Sequence, residues 1–172
     1  MSKVITFSRV FPSYHPRKGD PTYFVEKIWN SIAFDPDVYV EQFPIPYREL
    51  GIDFRNTNDK KHHTIRAGHR FKVGDWFSPR VWSGKAYNSK QIVIAPDIQV
   101  KKIWDFDAHG TDFYLSGKHE YAHPEGFDFS EVEKNDGLSP CELFDWICLS
   151  PEFKKENRFT GQIICWNENI KY

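Results

Sequence analysis

Between His62 and His123 apolar and polar residues alternate in short runs, and turn chemistry closes each run before it reaches helical length. The runs are HHTIRAG, DWFSPRVWS, KQIVIAPDIQVKKIWDF and TDFYLSGKHEYAH. A period of two sends successive side chains to opposite faces of a strand, so this part of the chain is constrained to be sheet. Pro96 and Asp97 predict a bend or bulge inside the longest run. Ser116-Gly117, between two aromatic runs, predicts a hairpin. KVITFSRV at residues 3–10 and RFTGQIICWN at residues 158–167 add a strand at each end.

Helical spacing surfaces twice. In TYFVEKIWNSI, Phe24, Ile28 and Ile32 make one stripe behind Thr22 as N-cap. In LSPCELFDWICLSPEF, Ser139 is the expected N-cap, Pro140 the first helical residue and Glu142 the capping-box partner. Leu143, Phe144, Ile147 and Cys148 form the buried stripe of that helix. Residues 34–59 hold Pro36, Pro44 and Pro46 without a sustained period and read as a loop or insertion. The expectation is an α+β fold: one domain over residues 1–172, a curled sheet or small mixed barrel with flanking helices. A chain of 172 residues, 40% of them hydrophobic, can bury a core of its own.

Charge limits the partners. The chain carries 23 basic and 24 acidic residues, a formal net charge of -1, which argues against tight, sequence-blind binding to duplex DNA. No apolar run approaches the length of a membrane span. MSKVITFSRVF lacks the apolar centre and cleavage site of a signal peptide, and Cys141, Cys148 and Cys165 form no CxxC pair. A cytoplasmic protein with reduced thiols is expected.

The chemistry concentrates in KKHHTIRAGHRFKVGD, residues 60–75. On a strand, His62, Thr64 and Arg66 share one face while His63 and Ile65 share the other. Lys61 would point away from Thr64 unless the chain bends there. If it does, Lys61 can serve as a base for the Thr64 hydroxyl, because burial or nearby charge from Arg66 lowers a lysine pKa. The alternative is a solvated strand edge. His62, His63 and His69, or His109, His119 and His123 with Glu120, match no zinc spacing, and neighbouring histidines on a strand diverge, so no metal and no cofactor are expected. In RVWSGKAYNSKQ, residues 80–91, Trp82 and Tyr87 alternate with Arg80, Lys85 and Lys90, a composition suited to a nucleoside or single-stranded RNA or simply to packing a hairpin.

Lys61-His62-His63-Thr64-Ile65-Arg66, followed by Gly68, Lys72, Gly74 and Asp75, resembles the K-x-x-T-I-R then G-D signature of ASCH domains in the PUA-like superfamily. The order of the opening strand TFSRVF, the helix FVEKIWNSI, the TIR strand, a late helix and a last strand is similar to that family's. The resemblance implies a small PUA-like β-barrel with a cleft for RNA or nucleotide-like ligands. Some small ASCH proteins are amidohydrolases that deacetylate N4-acetylcytidine with a Lys, a Thr and an acidic residue. Carried over, these are Lys61 and Thr64, with Asp136 of NDGLSPCEL where those enzymes have Glu. Thr64 would be the nucleophile, Lys61 its base and Asp136 the group orienting the substrate, with Arg66 stabilising the acyl oxygen and Trp82, Lys85 and Tyr87 holding the nucleoside. The rival readings are a non-catalytic reader of RNA or a modified base, and an interaction module that uses residues 34–59 for contact.

Overall fold

The computed structural model describes residues 2–32, 35–120 and 126–172. The fold is α+β, with its strands in two sheets. In the first, β1 (Lys3–Phe7) lies parallel to β3 (Trp76–Trp82), which also pairs antiparallel with β4 (Gln91–Val93) and β5 (Ile98–Gln99). The second is antiparallel throughout, in the order β2 (His63–Ala67), β9 (Arg158–Cys165), β6 (Lys102–His109), β7 (Asp112–Leu115) and β8 (Lys118–His119). Apolar side chains from both sheets share one core: Ile5, Phe7, Phe77 and Val81 from the first, Phe106, Ala108, Ile163 and Ile164 from the second. Trp166 joins them, its ring 6.4 Å from Phe7 and 5.8 Å from Phe77.

Most strands fall where alternation put them, but the longest run, expected as one strand with a bend, is three, with β4 and β5 in the first sheet and β6 in the second. The Pro96-Asp97 break separates β4 from β5, and Ser116 and Gly117 turn the β7–β8 hairpin with φ of 49° and 82°. Residues 34–59 correct the loop expectation. They contain α2 (Pro36–Gln42), α3 (Pro44–Leu50) and a 3-10 turn at Phe54–Asn56. Each α-helix opens on a proline, whose missing N–H costs nothing in a first turn, and neither is long enough to display a period.

Three helix ends also differ from expectation. α1 (Phe24–Ser31) starts after Tyr23, while Thr22 Oγ1 accepts from Phe24 N at 3.3 Å and donates to the Ser8 carbonyl at 2.7 Å. The expected long helix after Ser139 is two helices, α5 (Glu142–Cys148) and α6 (Pro151–Glu156). Pro151 cannot donate to the preceding turn, and Ser150 caps a new start by accepting from Phe153 N at 3.2 Å. Cys141, and not Ser139, is the N-cap of α5, and Pro140 lies before the helix; of the expected capping box only the Glu142 side remains, accepting from Ser139 N at 2.7 Å. Finally, DFSEVEKN forms α4 (Phe129–Asn135), an unexpected helix with Asp128 as N-cap and Asp136 as C-cap. Among the described residues no helix is long and apolar enough to cross a membrane.

Candidate functional site

The last backbone bonds before β2 shape the site. Lys61 N donates to the Lys27 carbonyl of α1 and His62 N to the Asn135 carbonyl at the end of α4, so the ladder begins only at His63. Lys61 is thereby released from strand alternation. It comes to line the same cavity as Thr64, which a regular strand would have forbidden. Gly137 makes room for it: φ is +76°, and a Cβ there would stand 3.1 Å from Lys61 Cβ and 3.2 Å from Lys27 Cδ.

The cavity measures about 570 Å³. Lys61, Thr64, Arg66 and Asp136 line it together with Trp82 and Tyr87, and α5 contributes Leu143, Trp146 and Ile147. Lys85 stands outside this wall, exposed on the Ser83–Ser89 loop. Tyr87, in contrast, stays 86% exposed while leaning on Trp82 at 5.5 Å between ring centroids, so this pair marks the mouth. The aromatic walls include Phe7, Tyr14 and Phe24.

Lys61 is 1% exposed. Its Nζ donates to the Asp136 carbonyl at 2.6 Å, stands 2.9 Å from Asp136 Oδ1 and lies over the Phe24 ring at 4.1 Å. Burial pushes its pKa down to about 8 against the pull of Asp136. Burial pushes the Asp136 carboxyl up, yet Lys61 and His63 outweigh it and hold the acid below its usual range. Asp136 therefore does not cap a helix N-terminus, the role its turn position allowed. It closes the C-terminus of α4 through its own N–H to Val132 O at 2.9 Å, leaving the carboxylate for side chains.

Thr64 is buried on the cavity wall, and among the described residues its hydroxyl forms no hydrogen bond with Lys61 or Asp136. Arg66 donates to the Thr6 carbonyl at 2.7 Å and lies over the Phe7 ring, which ties the two sheets together beside the cavity. The neighbouring histidines diverge: His62 meets Asn167 at 3.1 Å, while His63 turns inward to Asp136. His69 pairs with Asp105, His119 with Asp112, and His123 lies outside the described residues. Among the described residues no three His, Cys, Asp or Glu side chains gather to hold a metal.

Two contributors escaped the sequence reading. Trp146 joins Leu143 and Ile147 at helical spacing, a stripe read there as core alone. His63 sits two residues after Lys61, and a period of two would have placed both on Asp136's side. Comparison with protein-family models, with curated proteins and with solved structures finds no match for this chain.

Proposed function

We propose that this chain is an ASCH-type domain whose cavity binds a nucleoside and hydrolyses the amide of an N4-acylated cytidine. The observation that carries this reading is that Lys61, Thr64, Arg66 and Asp136 line one cavity together with aromatic rings suited to a base. The volume lies within the ordinary range for small-ligand sites. A PUA-like barrel as the finer description of the fold is supported by the common core of the two sheets around Phe7, Phe77 and Trp166. Free thiols at all three cysteines suit a cytoplasmic placement.

In the reaction, neutral Lys61 takes the Thr64 proton as Oγ1 adds to the acyl carbon. The carbonyl oxygen becomes an oxyanion, which Arg66 stabilises. Collapse breaks the C–N4 bond, Lys61 returns the proton to N4, and cytidine leaves. Water, deprotonated by Lys61, then attacks the threonyl ester, releasing the carboxylic acid and restoring Thr64. Asp136 holds Lys61 in place and orients the substrate.

A second reading, a non-catalytic reader of a modified base or single-stranded RNA, draws on the Thr64 hydroxyl, which is not bonded to the amine meant to activate it. Incubation with N4-acetylcytidine separates the two. Loss of the acylcytidine absorbance, with cytidine and acetate in equal amounts, supports the hydrolase. Saturable binding without turnover supports the reader.

A further inference from the structure

His63 is fully buried at the start of β2 and does not itself line the cavity. Its Nδ1 lies 3.3 Å from Asp136 Oδ1, the same oxygen that Lys61 Nζ approaches at 2.9 Å; both are ion-pair distances, and among the described residues neither ring nitrogen of His63 nor Asp136 Oδ1 completes a hydrogen bond. Two acceptors face the ring, the Asp136 carboxylate and the Val132 carbonyl, and the charged one is the stronger, so the neutral imidazole carries its proton on Nδ1. The Tyr172 ring meets the imidazole edge-on at 5.9 Å, and Trp104 backs that ring at 4.9 Å. A fully buried polar ring with no route to water is costly unless it serves a partner.

We propose that His63 is a positioning residue of this site: with its Nδ1–H directed at Asp136 Oδ1 it competes electrostatically with Lys61 for that oxygen, fixing the carboxylate's direction and weakening its grip on the Lys61 ammonium. For catalysis this rests on the hydrolase reading above. The contact itself does not.

The sign follows from which groups face the amine. Asp136 at the end of α4 favours the ammonium, while Lys27 from α1 and Arg66 from β2 disfavour it, and Phe24 lies beneath. His63 is faced by Asp136 and the Val132 backbone from α4, by Lys61 and by Tyr172. Burial pushes the imidazole's pKa down, so it is a neutral donor. Removing the donor leaves all of Oδ1 to the ammonium, so Lys61 holds its proton to higher pH.

The experiment is an NMR titration of lysine labelled at Cε, with the Lys61 signal assigned by its loss in Lys61→Met. In His63→Phe the midpoint is expected to rise by about half a pH unit or more. In His63→Asn, whose amide can donate from the place of Nδ1, it returns toward the wild-type value. His63→Leu is the second apolar variant should the Phe ring fail to seat. An unchanged midpoint in the apolar variants, or the same displacement in Asn as in Phe, overturns the proposal. A midpoint that moves as stated in a protein that leaves N4-acetylcytidine intact upholds the role of His63 and overturns the hydrolase reading alone.

Discussion

Thr64 offers the cleanest separation of chemistry from stability. Its hydroxyl forms no hydrogen bond among the described residues, so Thr64→Val removes the proposed nucleophile while keeping the shape and the strand preference of a β-branched residue. The expected cost is under about 1 kcal/mol in stability, with turnover of N4-acetylcytidine falling on the order of a hundredfold or more. Calorimetry beside a turnover assay checks both, and a Val variant with normal turnover removes Thr64 as nucleophile. Lys61 behaves differently because it is buried against a charge. Its folded pKa of about 8 lies below the usual 10.5. Between those values the unfolded chain binds the extra proton, so this group makes stability rise with pH across that window. Turnover that needs the free amine rises with pH through the same region, near 8. Asp136→Asn removes the counter-charge, so the acid limb moves to lower pH as overall turnover falls. At pH 6 the variant loses about 3 kcal/mol of stability, because the ammonium is then buried without a partner. Raising the pH recovers part of that loss. A pH-independent loss would place the effect on packing instead.

At the scale of elements, β9 is held close to β2 and β6 by a residue with no side chain. Gly161 pairs with Ala67 on one side and Phe106 on the other. A Cβ there would overlap the Arg66 carbonyl oxygen and stand 2.9 Å from its carbon and 3.0 Å from Ala67 Cα. Backbone cannot swing aside as a side chain does. Gly161→Ala is expected to cost about 3 kcal/mol, read as a lower urea midpoint, and to impair the site by moving Arg66. The strands were legible in the sequence because a period of two survives even in five residues, as HTIRA shows. Short helices were not, since the seven residues of α2, α3 or α4 barely complete two turns. α4 did leave a signal in Asp128 and Glu131, spaced as a capping pair, and Asp128 does accept from Ser130 N at 2.9 Å. Missing that helix also hid the setting of Asp136, which looks like the start of the next element in sequence but ends the previous one in space. Lys61 and Thr64 were singled out by their likeness to the K-x-x-T-I-R signature, whereas strand spacing set them on opposite faces, and their access to one cavity depended on where the ladder begins, a tertiary fact fixed by Lys27 and Asn135.

The whole molecule sets what kind of ligand the cavity accepts. A formal net charge of -1 gives no long-range attraction for a polyanion. On the cavity wall the cations Lys61 and Arg66 are balanced by Asp136 and Glu152, and both cations already hold protein oxygens, those of Asp136 and Thr6. An uncharged nucleoside held by stacking and hydrogen bonds meets no penalty there, while a duplex finds few free phosphate contacts. Titration with N4-acetylcytidine, followed by the quenching of Trp82 and Trp146 on the wall, should therefore give an affinity that changes little between about 50 and 200 mM salt. Duplex DNA should bind weakly over the same range. Trp82→Ala should weaken nucleoside binding by about 1–3 kcal/mol, the usual worth of one base stacked on an aromatic ring. Tight duplex binding that falls about a thousandfold over that salt range would show that phosphate contacts dominate recognition. The ligand surface would then have to lie outside a cavity that offers only Lys61 and Arg66 as cations among the described residues.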